Sequence, residues 1–136
     1  MDFIKTMSIA ASGLRAQAGR MRVISENIAN ADSTPNRPGA DPYRRKLPVF
    51  VSDFDRELGA RTVSLSRTQT DKSDFRLKYE PGHPAADTNG NVKYPNVNAL
   101  VELSDMREAQ RSYEANVNLI TATRRMLQRT LDILKS

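Results

Sequence analysis

The side chains able to do chemistry in this chain are few and poorly grouped. His83 is the sole histidine and there is no cysteine. It stands between Gly82 and Pro84 with no companion base, nucleophile or ligand set, so general acid–base work has no partner to run with. A residue of a rigid turn is the reading that remains. Asp87, Asn89 and Asn91 alternate around Gly90, the way a calcium loop begins, yet the downstream acidic ligand and the flanking helix pair are missing. Asn89 and Gly90 are better suited to a tight turn. No glycine-rich phosphate loop or nucleophile elbow occurs. A non-enzyme without metal or cofactor is expected.

The remaining candidate is charge. The net charge is +5 and the pI about 9.8, which raises nucleic-acid binding as a rival function. The excess is spread, however: +2 in residues 1–30, +2 in 31–96 and +1 in the rest. Tyr43, Arg44, Arg45 and Lys46 form the densest cluster, open to three readings: a solvated loop, a subunit contact or a nucleic-acid patch. The absence of thiols excludes a disulfide framework and thiolate metal sites.

The elements that must carry these residues announce themselves at both ends. Ile4, Met7, Ala11, Leu14, Ala18, Met21, Ser25 and Ile28 follow a three–four spacing, the mark of a helix with one apolar stripe. Leu103, Met106, Gln110, Tyr113, Val117, Ile120, Arg124, Leu127, Leu131 and Leu134 repeat it, with Gln110 and Arg124 as interruptions. The first helix is expected from about Asp2, whose carboxylate suits a helix start, to about Asn30. The second begins after Pro95, with Asn96 or Asn98 as cap, and runs nearly to Ser136 without glycine or proline. Small residues such as Ala10, Ala16 and Gly19 either permit close helix approach or are simply helix-compatible.

Neither helix reaches the roughly 18–20 apolar residues of a membrane span, so no membrane insertion is expected. Lys5, the stretch Met7–Leu14 and the Ala16-Gln17-Ala18 run mimic a secretory signal. Ser8, Ser12, Gly13 and Arg15 spoil the imitation, and no cleavage is expected.

Residues 31–96 hold all seven prolines. Val49 and Val51, then Val63 and Leu65, then Phe75, Leu77 and Tyr79 alternate, which reads as three short strands. Tyr79 to Pro95 is expected as an extended connection. The resulting division is 1–30 helix, 31–96 irregular and β-rich insert, 97–136 helix. The fold class is mainly α, with paired terminal helices forming a coiled coil and a small β insert.

Certain segments resemble a known family. Asn27, Ala29, Asn30, Thr34 and Pro35, followed by Tyr43, Arg44 and Arg45, look like the signature of flagellar rod, hook and hook-associated axial proteins. Tyr79, Pro81, Gly82, His83 and Pro84, then Pro95, Asn96, Val97 and Asn98, are similar to proximal-rod members of that family. So is the run from Asp105 to Ala109. One departure stands out: Asn36 to Pro42 intervene before Tyr43, a longer turn than the common pattern.

The resemblance implies a structural subunit of the basal-body rod, which spans the periplasm, exported unfolded through the flagellar type III apparatus without signal cleavage. It implies as partners copies of the chain, proximal and distal rod proteins and the rod-to-MS-ring adaptor, with torque carried by a helical tube. Ile4, Met7, Leu14, Met21, Ile28, Leu103, Met106, Tyr113, Val117, Ile120, Leu127, Leu131 and Leu134 are the expected packing residues, and Arg44 and Arg45 are expected to meet acids on neighbouring subunits. The alternatives are a basic helical nucleic-acid-binding protein and a soluble coiled-coil adaptor or export chaperone.

Overall fold

The computed structural model describes residues 2–136. Helix α1 spans Phe3–Ala29 and helix α2 spans Ala99–Lys135, with six strands between them: β1 (Lys46–Leu47), β2 (Phe50–Asp55), β3 (Ala60–Leu65), β4 (Gln69–Thr70), β5 (Arg76–Tyr79) and β6 (Asn91–Tyr94). The strands form three antiparallel pairs, β1–β4, β2–β3 and β5–β6. No helix among the described residues is long and apolar enough to cross a membrane.

Both helices start where capping chemistry places them. Asp2 accepts the Lys5 amide at 3.0 Å through its side chain and the Thr6 amide at 3.1 Å through its carbonyl. Asn98, not Asn96, caps α2: its Oδ1 accepts from the amide nitrogens of Leu100 at 3.1 Å and Val101 at 3.5 Å, satisfying donors that a helix start leaves open.

The chain gathers into two compact units. The first comprises residues 1–21, 49–67 and 107–136; the second comprises 22–48 and 68–106. In the first unit α1 meets α2 antiparallel. Phe3 shares a cleft with Leu127, a Cβ at Gly13 would lie 3.0 Å from the Asn116 amide group, and Arg20 reaches Glu108 at 3.4 Å.

The stripe of α1 that makes these contacts runs through Phe3, Thr6, Ala10, Gly13, Gln17 and Arg20. The three–four spacing is as expected from sequence, but the phase is displaced by one residue from Ile4, Met7, Ala11 and Leu14. On α2 the covered positions in this unit are Ala109, Ser112, Tyr113, Asn116, Ile120, Thr123 and Leu127. Tyr113, Ile120 and Leu127 coincide with the expected stripe. Gln110, Val117 and Arg124 give way to the residue before each, so the two apparent interruptions point to solvent.

Hairpin β2–β3 lies against the other side of α1. The Ser12 hydroxyl accepts the Val63 amide at 3.2 Å, and Leu65 closes on Gly19. One outward amide of β3 is thereby satisfied, while every residue of β2 remains exposed. Gly59 turns the hairpin at φ +63°, with its amide on the Asp55 carbonyl at 2.8 Å.

The second unit is built on buried Val23, Ile24, Ala31, Ala85, Val92 and Val97. Here the expected extended connection contains a strand: β6 pairs with β5 in the register Arg76↔Tyr94 to Tyr79↔Asn91. The insert thus holds six strands where three were expected. β1, β4 and β6 are two to four residues long, too short for alternation to declare them.

Candidate functional site

The most tightly built cluster of polar side chains lies in the second unit, around Asn27 and Glu102. Both are only 1% exposed, so each polar atom must find a partner inside the protein. Asn27 finds all of its own. Its Nδ2 donates to the Lys46 carbonyl at 2.8 Å and to Glu102 Oε2 at 3.2 Å. Its Oδ1 accepts from the Tyr43 hydroxyl at 2.7 Å and the Lys46 amide at 2.9 Å. One α1 side chain therefore fixes the Tyr43–Lys46 segment to α2.

Arg45 closes the cluster. Its Nε donates to Glu102 Oε1, and its terminal nitrogens reach Asp71 at 3.5 Å and Asp105 at 3.6 Å. Burial works against the Arg45 charge, yet the hydrogen bonds and attraction of Glu102 and Asp71 prevail and its pKa is raised. Its backbone is held as well: the amide donates to Asn96 Oδ1 at 2.8 Å and the carbonyl accepts from the Asp71 amide at 2.8 Å. Asn96 Nδ2 in turn donates to the carbonyls of Asp71 at 3.1 Å and Ser73 at 3.2 Å.

The rim follows the same logic. Lys46 pairs with Glu26 at 2.8 Å, a bond that lowers the Glu26 pKa and raises that of Lys46. The Ser73 amide on its carboxylate depresses Asp71. Burial pushes the Tyr43 phenol up. Arg44 lies 4.2 Å from the Phe75 ring centroid and donates to the carbonyls of Asp71 at 3.1 Å and Ser73 at 3.0 Å. Acceptors within the chain thus engage Arg45 and one terminal nitrogen of Arg44; pairing of these arginines with acids on neighbouring subunits stays a proposal.

Of the residues singled out from sequence, Asn27, Tyr43, Arg45 and Asn96 come together here, and Arg44 flanks them. Glu102 and Asp71 went unrecognised. A glutamate one residue before the expected apolar stripe at Leu103 was the available signal, because a carboxylate turned toward a helix seam requires a cation.

The other signature residues hold turns. His83 Nδ1 accepts the Ala85 amide at 3.0 Å, and Nε2 lies 3.3 Å from the Thr34 hydroxyl, beside half-buried Pro35. Asn30 Nδ2 donates to the Glu26 carbonyl at 2.9 Å near the end of α1, whose last residue, Ala29, is exposed. Pro81, Gly82 and Pro84 are exposed, while Pro95 and Val97 are buried. Asp87 Oδ1 accepts the amides of Asn89 at 2.8 Å and Asn91 at 2.9 Å. That carboxylate shapes a turn, and no cluster of metal-binding side chains occurs among the described residues.

The expected packing residues divide by exposure, within both helices. Met7, Leu14, Met21, Ile28, Met106, Tyr113, Ile120 and Leu127 are half-buried; Ile4, Leu103, Val117, Leu131 and Leu134 are exposed. Chemically the cluster is a clasp. It pins an arginine-bearing loop to two helices by charge-assisted hydrogen bonds.

Comparison with known proteins agrees with a structural role. Residues 7–36 match the family model for flagella basal body rod proteins, and residues 88–133 match that for the C-terminal region of flagellar basal body rod FlgEFG proteins. The flagellar basal-body rod protein FlgC of Agrobacterium fabrum is 54% identical over 100% of this chain and 99% of its own length. Its counterpart in Salmonella typhimurium is 37% identical over 98% of each chain, and that of Bacillus subtilis 37% identical over 99% of this chain and 100% of its own. With identity at these levels from end to end, the chain belongs to the FlgC family of flagellar basal-body rod proteins.

Proposed function

We propose that the chain is a structural subunit of the bacterial flagellar basal-body rod, working by assembly rather than by catalysis. The observation that carries this reading is 54% identity, along the entire chain, to a protein bearing that role in its name. The physical character of the surface supports it. Large apolar side chains stay exposed along α2, among them Leu103, Val117, Leu119, Met126, Leu131 and Leu134. A soluble monomer has little use for so many.

In the finer reading, residues 1–30 and 97–136 form a coiled-coil inner layer and residues 31–96 an outer one. Contacts between unlike surfaces that do not close generate a helical tube, which transmits torque from motor to hook. Its partners are further copies, proximal and distal rod proteins, and the adaptor to the MS ring. Export proceeds unfolded through the type III apparatus, with no signal peptide cleaved. A chain without cysteine suits that route, since nothing can cross-link in transit.

The test is location. An epitope-tagged copy in its own bacterium is expected in purified hook–basal bodies. A tagged chain found only in the cytoplasm, with salt-dependent binding to DNA, would overturn the rod reading in favour of a nucleic-acid-binding module.

A further inference from the structure

Strand β2 is a free edge. Its partner β3 is covered by α1, whereas β2 has no residue buried, with Phe54 60% exposed. An uncovered edge bearing aromatic side chains is a surface that natural proteins either guard or use. Its two faces differ. Phe50 and Phe54 form an apolar row on one side; Asp53 and Asp55, beyond exposed Val51, form an acidic row on the other.

The second half of α2 carries the converse pattern in the same unit. Leu119, Met126 and Ile133 are exposed and fall seven residues apart, a straight apolar line outside the stripe that meets α1. Arg125 and Arg129, both exposed, flank that line on one side.

The dimensions match. At about 1.5 Å per residue the line from Leu119 to Ile133 is about 21 Å long, enough for the about 17 Å from Phe50 to Asp55, five steps of about 3.3 Å. Asp53 and Asp55 stand about 6.6 Å apart along the strand; Arg125 and Arg129 stand about 6 Å apart along the helix. The strand offers an apolar row and an acidic row; the helix offers an apolar line beside a basic pair, with Asp132 one turn beyond Arg129.

We propose that the β2 edge of one copy docks along the Leu119–Ile133 line of α2 in a second copy, with Asp53 and Asp55 opposite Arg125 and Arg129. The inference rests on the rod-subunit reading and names the surfaces that join successive copies. Because the two surfaces are unlike, the contact does not close on itself and propagates.

A chain without cysteine makes the test clean. Phe54→Cys and Met126→Cys, carried on differently tagged copies, are expressed together in the native bacterium, and its basal bodies are oxidised and blotted. A covalent dimer bearing both tags is expected, and neither variant alone should give one. Absence of the mixed dimer, dimers from either variant alone, or capture of a different protein by Met126→Cys would overturn the proposal.

Charge reversal supplies an independent measurement. Asp53→Arg is expected to cut swimming at least tenfold, and adding Arg129→Glu in the same chain should restore most of it; additive losses would overturn the pairing. Absence of the wild-type chain from basal bodies would refute the rod reading itself, a result distinguishable from its presence without the cross-link.

Discussion

Asn27 and Glu102 lie 75 residues apart in sequence, yet the amide of one donates to the carboxylate of the other at 3.2 Å, both almost wholly out of solvent. Burying a carboxylate is tolerable only when a cation and hydrogen-bond donors surround it. Arg45 and Asn27 donate to it directly and the Tyr43 hydroxyl holds Asn27 in place, so the clasp stands or falls as a unit.

Removing the cation while leaving the acid is therefore expected to be severe. Arg45→Met should destabilise the folded chain by about 3–5 kcal/mol, the usual cost of stranding a buried charge. Adding Glu102→Leu should return most of that loss. Urea unfolding of the two single variants and the double gives the coupling; additive losses would show that the two side chains act separately.

Acid should loosen the same region. Glu26 and Asp71 have folded-state pKa values below the ordinary carboxylate range, the first through Lys46 and the second through the Ser73 amide. Depressed carboxylates contribute stability that is present above their unfolded values, near pH 4, and lost as pH falls through the lowered folded ones. The raised pKa of Lys46 acts with opposite sign: its share is complete below the unfolded value and is lost as pH rises through the folded one. Unfolding midpoints should thus be level around neutrality and drop below about pH 4. Glu26→Gln together with Asp71→Asn should flatten the acid limb.

Gly90 is held in a conformation that other residues resist. Its φ is +80°, and a Cβ would stand 2.7 Å from Tyr79 Cε2 and 3.2 Å from Pro81 Cβ. Gly90→Ala is expected to cost upward of about 1 kcal/mol. Gly82→Ala, which meets nothing within 4 Å, should be nearly neutral. Equal midpoints for the two variants in thermal unfolding would contradict the turn geometry.

Ile120 sits half-buried on the α2 stripe between the positions of Asn116 and Thr123. Ile120→Asp would place a charge on the half-buried face of α2 that meets α1. Loss of swimming and of incorporation into basal bodies is expected. Normal motility would count against helix packing as the source of rod stiffness.

The limits of sequence reading can be seen in the helices. Their existence and extent followed from spacing and caps, because α2 has no breaker and Asp2 and Asn98 hold the starts. The phase of the stripe facing the partner helix within the chain did not follow. That stripe uses Ala10, Gly13, Ala109, Asn116 and Thr123, small or polar residues that periodicity counts as neutral, while many of the large apolar ones turn outward. The tight turn at Asn89 and Gly90 was legible from local preference. Strand β6 was not, since its pairing with β5 closes across an 11-residue connection and only tertiary contact defines it. At the clasp, Tyr43, Arg45 and Asn96 stood out as a signature, but their acidic partners lay elsewhere on the chain.

Deleting the gene in its own bacterium and imaging the cell envelope by electron microscopy tests the rod role most directly. Cells lacking the chain should carry no hooks or filaments, and re-expression should restore both. Intact flagella on the deletion strain would contradict the account.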